Sequence, residues 1–297
     1  MRRVIPFLVL QAVLLGADPV TTLSIDHVTA AGVDLEKMQA NLASIGLRSE
    51  FGGPHNNHAT QMAITSFPDG SYLELIAVQR NADPKAVAGH YWTKRITGNA
   101  GPTAWAVRSN DASAEVKRLK AQGVVTGGPT PSGRTRPDGV KLEWEAATVG
   151  PEPNGMFFPF LIRDFTSREK RVYPSGKPTT QEFTGISKVV IAVQNMDAAV
   201  ERYRMAYGLA RPVFQNDPGF GARLAQFEGT PVVLAAPLDA QSWLASRIAQ
   251  VGVGPCAFIL RGSPASAVPG GPKARWFGKD IAWFDSGKLG WRLGVER

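Results

Sequence analysis

Cysteine and histidine are scarce in this sequence. Cys256 is the single cysteine among 297 residues, so an intramolecular disulfide cannot form. The four histidines, His27, His55, His58 and His90, all lie in the first third of the chain. The chain after residue 184 contains no histidine, which makes it a poor candidate for a metal site.

Long runs of one charge and low-complexity tracts are also absent. The formal net charge is +8, but the lysines and arginines are scattered rather than grouped in blocks of five or six. Because no basic stripe with interleaved aromatic residues is present, nucleic acid is not an expected partner. With 43% hydrophobic and 20% charged residues, the composition is that of a folded soluble protein and excludes disorder as the main interpretation.

The apolar run at the N-terminus is shorter than the ~20 residues of a membrane span. Arg2 and Arg3 precede a short apolar segment from Val4 to Leu15, which is the arrangement of a secretory signal peptide. We therefore expect residues 1–21 to be a signal peptide and the mature protein to be secreted or periplasmic, with no stable membrane span. A hydrophobic first strand and a retained anchor are the alternatives, because the sequence near Ala17 is a poor cleavage site.

The predicted elements begin with the order βαβββ. A strand at 23–30 precedes a helix that Asp34 can cap, and three strands follow at 47–52, 59–67 and 71–78. The order then returns with first strands at 103–108 and 186–193. A fourth unit begins with a strand at 256–260 but lacks its own helix, because residues 263–272 are rich in proline and glycine. Residues 124–139, rich in glycine and proline, are predicted as a long loop that holds at most one short strand.

This internal repetition predicts an α+β fold of four βαβββ modules paired into two domains. One module cannot close a core alone, whereas two side by side form a cavity between them. The first domain is expected at 22–165, with modules at 22–78 and 102–164. A linker at 166–183 leads to a degenerate second domain at 184–297.

Three segments of the first domain carry a resemblance to a known family. They are IDHV at 25–28, GPHNNHAT at 53–60 and GSYLELI at 70–76. In these segments the chain resembles the vicinal oxygen chelate superfamily and, within it, the glyoxalase-like domain family of the glyoxalase, bleomycin resistance and dioxygenase fold. The resemblance covers most of residues 22–173.

The resemblance implies a small-molecule ligand with neighbouring oxygens and one divalent metal ion, with zinc, iron, manganese and nickel all compatible. It places His27 and Glu74 at ligand positions and in catalytic roles, whereas the second module offers only Ala104 and Pro159. A complete metal site would therefore need His55 or His58. The alternative is that His27 and Glu74 simply hydrogen-bond one another. The corresponding positions of the last two modules hold no superfamily ligands: Lys188, Val233, Ala257 and Gly294.

Four further side chains are candidates for substrate binding: Trp105, Trp144, Tyr72 and Arg108. Like Arg108, Arg134 and Arg136 could hold an anion, although exposed arginines are usually solvated. The implied function is that of a metal-dependent lyase or isomerase, or a dioxygenase. A rival interpretation is a binding protein of the bleomycin-resistance type, which sequesters a small molecule without turnover. A third is a structural role for the second domain, as a lid or as the surface of a homodimer.

Overall fold

Two eight-stranded sheets form the framework of the protein. The computed structural model describes residues 23–263, 266 and 269–297, so the predicted signal peptide lies outside the described residues. The first sheet has the strand order β2-β3-β4-β1-β5-β8-β7-β6. Its strands are β1 (Ile25–Ala31), β2 (Glu50–Pro54), β3 (Thr60–Ser66), β4 (Tyr72–Val78), β5 (Gly101–Arg108), β6 (Thr126–Thr135), β7 (Lys141–Val149) and β8 (Phe160–Asp164).

The second sheet repeats this strand order as β10-β11-β12-β9-β13-β16-β15-β14. Its strands are β9 (Phe183–Ala192), β10 (Val213–Asp217), β11 (Ala222–Gln226), β12 (Val232–Pro237), β13 (Gly254–Gly262), β14 (Lys273–Trp276), β15 (Lys279–Trp283) and β16 (Arg292–Glu296). In each sheet two four-stranded modules join at the centre through an antiparallel strand pair, β1 with β5 and β9 with β13. The first three modules have the order βαβββ, whereas the helix of the fourth lies between β15 and β16. The predicted fold class is confirmed.

The helices complete the modules and connect them. They are α1 (Leu35–Ala43), α2 (Pro84–Gly89), α3 (Thr93–Thr97), α4 (Ala112–Ala121), α5 (Arg168–Val172), α6 (Met196–Tyr207), α7 (Trp243–Val251) and α8 (Ser286–Leu289). Side-chain caps start α1, α4 and α6: Asp34, Asp111 and Asn195 each accept a hydrogen bond from a backbone amide three residues later. Among the described residues, no helix is long and apolar enough to cross a membrane.

Strand β6 corrects the predicted loop at 124–139. Its ten residues, TGGPTPSGRT, pair antiparallel with β7 despite two prolines and three glycines. Proline is tolerated there because β6 is the edge strand of the sheet, where one row of backbone amides needs no partner. The correction matters for the site, since this strand carries cavity residues.

The two sheets share one hydrophobic core on their helix-bearing sides. The core contains residues from both sheets, including Val28 and Leu73 from the first and Val189 and Leu234 from the second. Tyr203 of α6 donates a hydrogen bond of 2.5 Å to the Phe157 carbonyl across this boundary. The second sheet therefore packs against the first as part of one core.

Two arginines, Arg95, which is buried, and Arg247, which is partly buried, each reach across the same boundary. Arg95 of α3 donates to the Val253 carbonyl at 2.7 Å, just before β13. Arg247 of α7 donates to the Ala100 carbonyl at 2.7 Å, just before β5. Each connector helix thus holds the start of the central strand in the other sheet.

The concave faces of the two sheets differ in what fills them. In the second sheet, the β10–β11 turn inserts Phe220, whose ring contacts Trp276 at 5.0 Å and Trp283 at 5.3 Å between centroids. Trp243 of α7 lies edge-on to the same ring at 5.2 Å. The corresponding face of the first sheet retains a cavity.

Replacing Phe220 by alanine is expected to lower the free energy of unfolding by about 3–5 kcal/mol, because a fully packed ring would leave a void. Phe220 is 2% exposed, whereas Phe214 of the neighbouring edge strand is 43% exposed. The control Phe214→Ala should cost less than about 1 kcal/mol. Denaturant titration measures both values, and equal losses would contradict this account of the second sheet.

Candidate functional site

The cavity on the concave face of the first sheet encloses about 230 Å³. It lies between the β1–β4 half of the sheet and the β7–β8 half, and the α2–α3 connector covers it. The polar residues that line it come from both halves and from the connector: His27, His55, Asn56, Asn57, Glu74, His90, Ser132, Arg134, Asn154 and Arg171. Aromatic rings form much of the remaining wall: Tyr72, Tyr91, Trp92, Trp144 and Phe160.

Glu74 of β4 is the carboxylate among these polar residues. The β1–β4 register sets Thr29 beside it, and the Thr29 hydroxyl donates to Glu74 Oε2 at 2.8 Å. His27 Nε2 lies 3.9 Å from Oε2, and His55 Nε2 lies 3.5 Å from Oε1. Burial would raise the pKa of Glu74, but the two imidazoles and the hydroxyl outweigh it and lower that pKa to about 2. Glu74 is therefore ionised at neutral pH.

His27 is held by the residue that precedes it in the sequence. Its Nδ1 lies 2.7 Å from Asp26 Oδ1, and its ring stacks on Tyr72 with centroids 4.7 Å apart. Adjacent residues of a regular strand point to opposite faces, but the β1–β5 register shifts between Ile25 and His27. This bulge lets Asp26 and His27 interact, as bulges beside functional sites often do.

Asp26 fixes which nitrogen of His27 carries a proton. Burial would raise the pKa of Asp26, but Arg171, the hydrogen bond with His27 and Arg168 hold it well below its usual range. An ionised carboxylate can only accept hydrogen bonds, so His27 Nδ1 must be the donor. Nε2 is then the atom through which His27 can exchange a proton with the cavity.

The charge of Asp26 is balanced by helix α5, within the segment predicted as a linker. Arg171 Nη2 donates to Asp26 Oδ2 at 2.8 Å and Arg171 Nη1 donates to the Tyr72 hydroxyl at 2.8 Å. Arg171 Nε donates to Asp164 Oδ1 at 2.5 Å, and Arg168 also donates to Asp26. The predicted linker is therefore part of the site. The sequence signal that could have indicated this is the i, i+3 spacing of Arg168 and Arg171, which places both arginines on one face of a helix.

His55 has the opposite tautomer when it is neutral. Its Nδ1 lies 2.8 Å from Thr60 Oγ1, and that hydroxyl oxygen accepts a hydrogen bond from Asn57 Nδ2 at 3.0 Å. The ionised Glu74 can only accept hydrogen bonds and lies 3.5 Å from His55 Nε2, so the imidazole proton is assigned to Nε2 and Nδ1 accepts from the Thr60 hydroxyl. Within one cavity His27 thus presents a proton-exchanging nitrogen and His55 presents a donor.

Five predicted site residues meet at this cavity: His27, His55, Tyr72, Glu74 and Trp144. Three others do not. His58 is exposed in the β2–β3 loop with φ of 54°. Trp105 is fully buried in the core on the helix-bearing side, and Arg108 donates to the Asp69 carbonyl at 2.9 Å near a cleft between the sheets.

The second module contributes no metal-binding side chains to the cavity. Phe160 and Ile162 of β8 line it. The ligand position that the sequence analysis assigned to Pro159 is therefore occupied by the next residue, Phe160. Within the described part of the chain, no group of three or more His, Cys, Asp or Glu residues could hold a metal ion. His27 and His55 instead approach different oxygens of Glu74. This donor set does not fit the resident metal that the superfamily resemblance implies.

Comparison with known proteins identifies the surrounding framework. A family model described as a glyoxalase-like domain matches residues 25–207. No curated protein matches the chain. A hypothetical protein from Staphylococcus aureus is 16% identical with a TM-score of 0.63, and the match covers 92% of this chain and 98% of that one. The fold is therefore shared across both sheets.

Two smaller structures match only part of the chain. Methylmalonyl-CoA epimerase from Mycobacterium tuberculosis is 24% identical with a TM-score of 0.34, over 39% of this chain and 89% of that one. A hypothetical protein from Bacillus halodurans is 15% identical with a TM-score of 0.32, over 37% of this chain and 91% of that one.

The depressed pKa of Glu74 predicts a pH-dependent contribution to stability. An acid whose pKa is lower in the folded state stabilises that state above its unfolded value and loses this effect as the pH falls. With a folded pKa of about 2 against a reference value of 4.5, the contribution at pH 7 is about 3 kcal/mol.

The variant Glu74→Gln keeps the hydrogen-bond acceptor for Thr29 and removes the charge. It should be less stable than the wild type at pH 7, and the difference should shrink as the pH falls from about 4.5 towards 2. Denaturant titrations across this range measure the difference. A difference that stays constant with pH would show that the charge of Glu74 is not held as described.

Proposed function

The chain belongs to the glyoxalase-like domain family of the vicinal oxygen chelate superfamily, and we propose that its first domain is a lyase or isomerase. The reaction moves a proton on a small molecule that carries oxygen atoms on neighbouring carbons. The observation that carries this proposal is the Asp26–His27 pair, with Nδ1 fixed 2.7 Å from the carboxylate and Nε2 facing the cavity. An imidazole oriented in this way is the usual arrangement of a general base.

The proposed proton transfer uses His27 as the base. His27 Nε2 takes the proton from a carbon beside a carbonyl, and the electron pair moves onto the carbonyl oxygen. The Nε2 proton of His55 can stabilise that developing negative charge. In an isomerisation, the proton of the neighbouring hydroxyl moves to the former carbonyl oxygen and His27 returns its proton to the former carbonyl carbon, so that the carbonyl group changes places. In an elimination, a leaving group departs from the next carbon with the electron pair while His27 keeps the proton.

Glu74 supports this chemistry without acting as the base. A carboxylate with a pKa of about 2 is a weak proton acceptor at neutral pH, because an effective base has a pKa near the working pH. Its ionised Oε1 instead faces the protonated Nε2 of His55 at 3.5 Å, and its Oε2 accepts from the Thr29 hydroxyl at 2.8 Å. The proton transfer is derived from these side chains, and no step is assigned to a metal, since the donor set does not fit one.

A non-catalytic binding protein is the second candidate. It is favoured by the wall across from Glu74, where Trp144, Ala146, Phe160 and Ile162 offer no group that could assist a reaction. Such a wall can hold an apolar or aromatic portion of a ligand by burial alone. A ligand that raises the melting temperature and is recovered unchanged would support this candidate.

Hydrogen exchange from solvent tests the enzyme proposal without knowledge of the final product. The protein is incubated in heavy water with 2-hydroxyaldehydes, 2-hydroxyketones and 2-hydroxy acids, and proton NMR follows loss of the signal from the carbon-bound hydrogen. The substitution His27→Gln should reduce the exchange rate by roughly 10²–10⁴-fold, the usual contribution of a general base.

The control is His58→Gln, because His58 is exposed and does not line the cavity. It should exchange at the wild-type rate, and treatment with a chelator should leave that rate unchanged. Exchange that persists in His27→Gln would contradict the assigned role. A wild-type protein that binds these compounds and exchanges none of them would favour the binding protein.

A further inference from the structure

Arg134 is a buried cation that lacks a carboxylate partner. It lies in β6, is 3% exposed and lines the cavity. Within the described residues its single hydrogen bond runs from Nη1 to the Gly52 carbonyl, and no carboxylate oxygen lies within 4.0 Å of it. A guanidinium has five N–H donors, so most of its hydrogen-bonding capacity is unused.

The other buried arginines, Arg171 and Arg95, make more contacts, although Arg95 Nε has no hydrogen-bond partner within the described residues. Arg171 forms two-pronged contacts with Asp26 and Asp164. Arg95 donates to three backbone carbonyls at the boundary between the sheets. A buried charge without compensating partners is costly, and burial lowers the pKa of Arg134. Arg134 is therefore the side chain in the cavity that gains most from an anionic ligand.

Glu74 does not supply that anion. Its two oxygens already face Thr29, His27 and His55, and it lies too far from Arg134 for an ion pair. The carboxylates nearest the other cavity arginine, Asp26 and Asp164, are bound by Arg171. Among the described residues no carboxylate pairs directly with Arg134. Burial lowers the pKa of Arg134, and the charge of Glu74 counteracts this only from a distance. A bound anion can supply the direct partner.

The space beside Arg134 limits what can provide this anion. At about 230 Å³, the cavity is smaller than the ~300–1,000 Å³ pockets of drug-sized ligands. The planar guanidinium fork matches the two oxygens of a carboxylate. The rings of Tyr72, Trp144 and Phe160 line the same cavity and suit a compact apolar group.

We propose that Arg134 binds the carboxylate of the ligand, so that the site takes small carboxylic acids. Arg134 is the residue that determines this specificity. If the bound acid is a substrate, the inference rests on the proposed function, because Arg134 would anchor the carboxylate while His27 contacts the carbon that reacts. If the protein only binds the acid, the inference requires no turnover.

Matched pairs of acids and amides test the proposal, because the members of each pair have nearly the same shape and differ in charge. Formate and formamide, glycolate and glycolamide, and mandelate and mandelamide give three sizes. Binding to the full chain is measured by calorimetry and thermal shift at constant ionic strength. In at least one pair the acid should bind roughly ten- to a hundredfold more tightly than the amide, the range for a charged hydrogen-bonded contact.

Three variants test whether Arg134 is responsible for the tighter binding of acids. Arg134→Met should abolish it, and Arg134→Lys should retain part of it, because the charge remains while the fork is lost. Arg80→Met removes an arginine whose side chain is 81% exposed and lies outside the cavity, and it should bind as the wild type does. Melting temperatures identify a variant that fails to fold. If Arg134→Met does not fold, the acid–amide preference of the wild type and of Arg134→Lys tests the proposal instead.

Several outcomes would overturn the proposal. They are equal binding of acid and amide in every pair, an unchanged preference in folded Arg134→Met, and stabilisation by inorganic phosphate in the absence of any by the acids. His27→Gln separates this proposal from the enzyme. That variant should keep the preference for acids while losing hydrogen exchange, so failure of the exchange assay leaves the binding result intact.

Discussion

The buried contact between Asp26 and Arg171 is the interaction on which the site depends. It joins β1, at the centre of the first sheet, to α5, which follows the last strand of that sheet. Because Asp26 is fully buried, its charge persists only with such a partner. The same carboxylate orients His27, so the contact that secures α5 also sets the direction of the imidazole. The position of α5 and the orientation of the His27 ring thus depend on the same buried carboxylate.

The sequence predicted those features that follow directly from strand and helix periodicity. It placed His27 and Glu74 in the first and last strands of the first module, and the repeated βαβββ order was sufficient to predict the paired modules. Two site residues were missed for physical reasons. Strand alternation places Asp26 opposite His27 and cannot reveal a bulge. Arg171 lies in a segment whose composition is that of a linker. Arg134 was only a weaker candidate for holding an anion, because an arginine in a predicted loop is expected to be solvated.

The second sheet shows how the same framework can lose its cavity. In the first sheet the turn between the second and third strands brings His55 to Glu74, whereas the corresponding turn in the second sheet brings Phe220 onto two tryptophans. The central strands β5 and β13 both begin with Gly-Pro, and each is held by an arginine from the opposite connector. The second sheet therefore contributes stability through the shared core, and Phe220 fills the face that corresponds to the cavity of the first sheet.

The protonation pattern of the histidines tests the central claim most directly. With histidine labelled by nitrogen-15, long-range proton–nitrogen NMR resolves the side chains of only four residues. The account predicts a proton on His27 Nδ1, retained on addition of a chelator, and a proton on His55 Nε2. The substitution Asp26→Asn should disturb the His27 signals and spare those of the exposed His58. A His27 ring protonated at Nε2 alone would contradict the account, because Asp26 would not be orienting the imidazole.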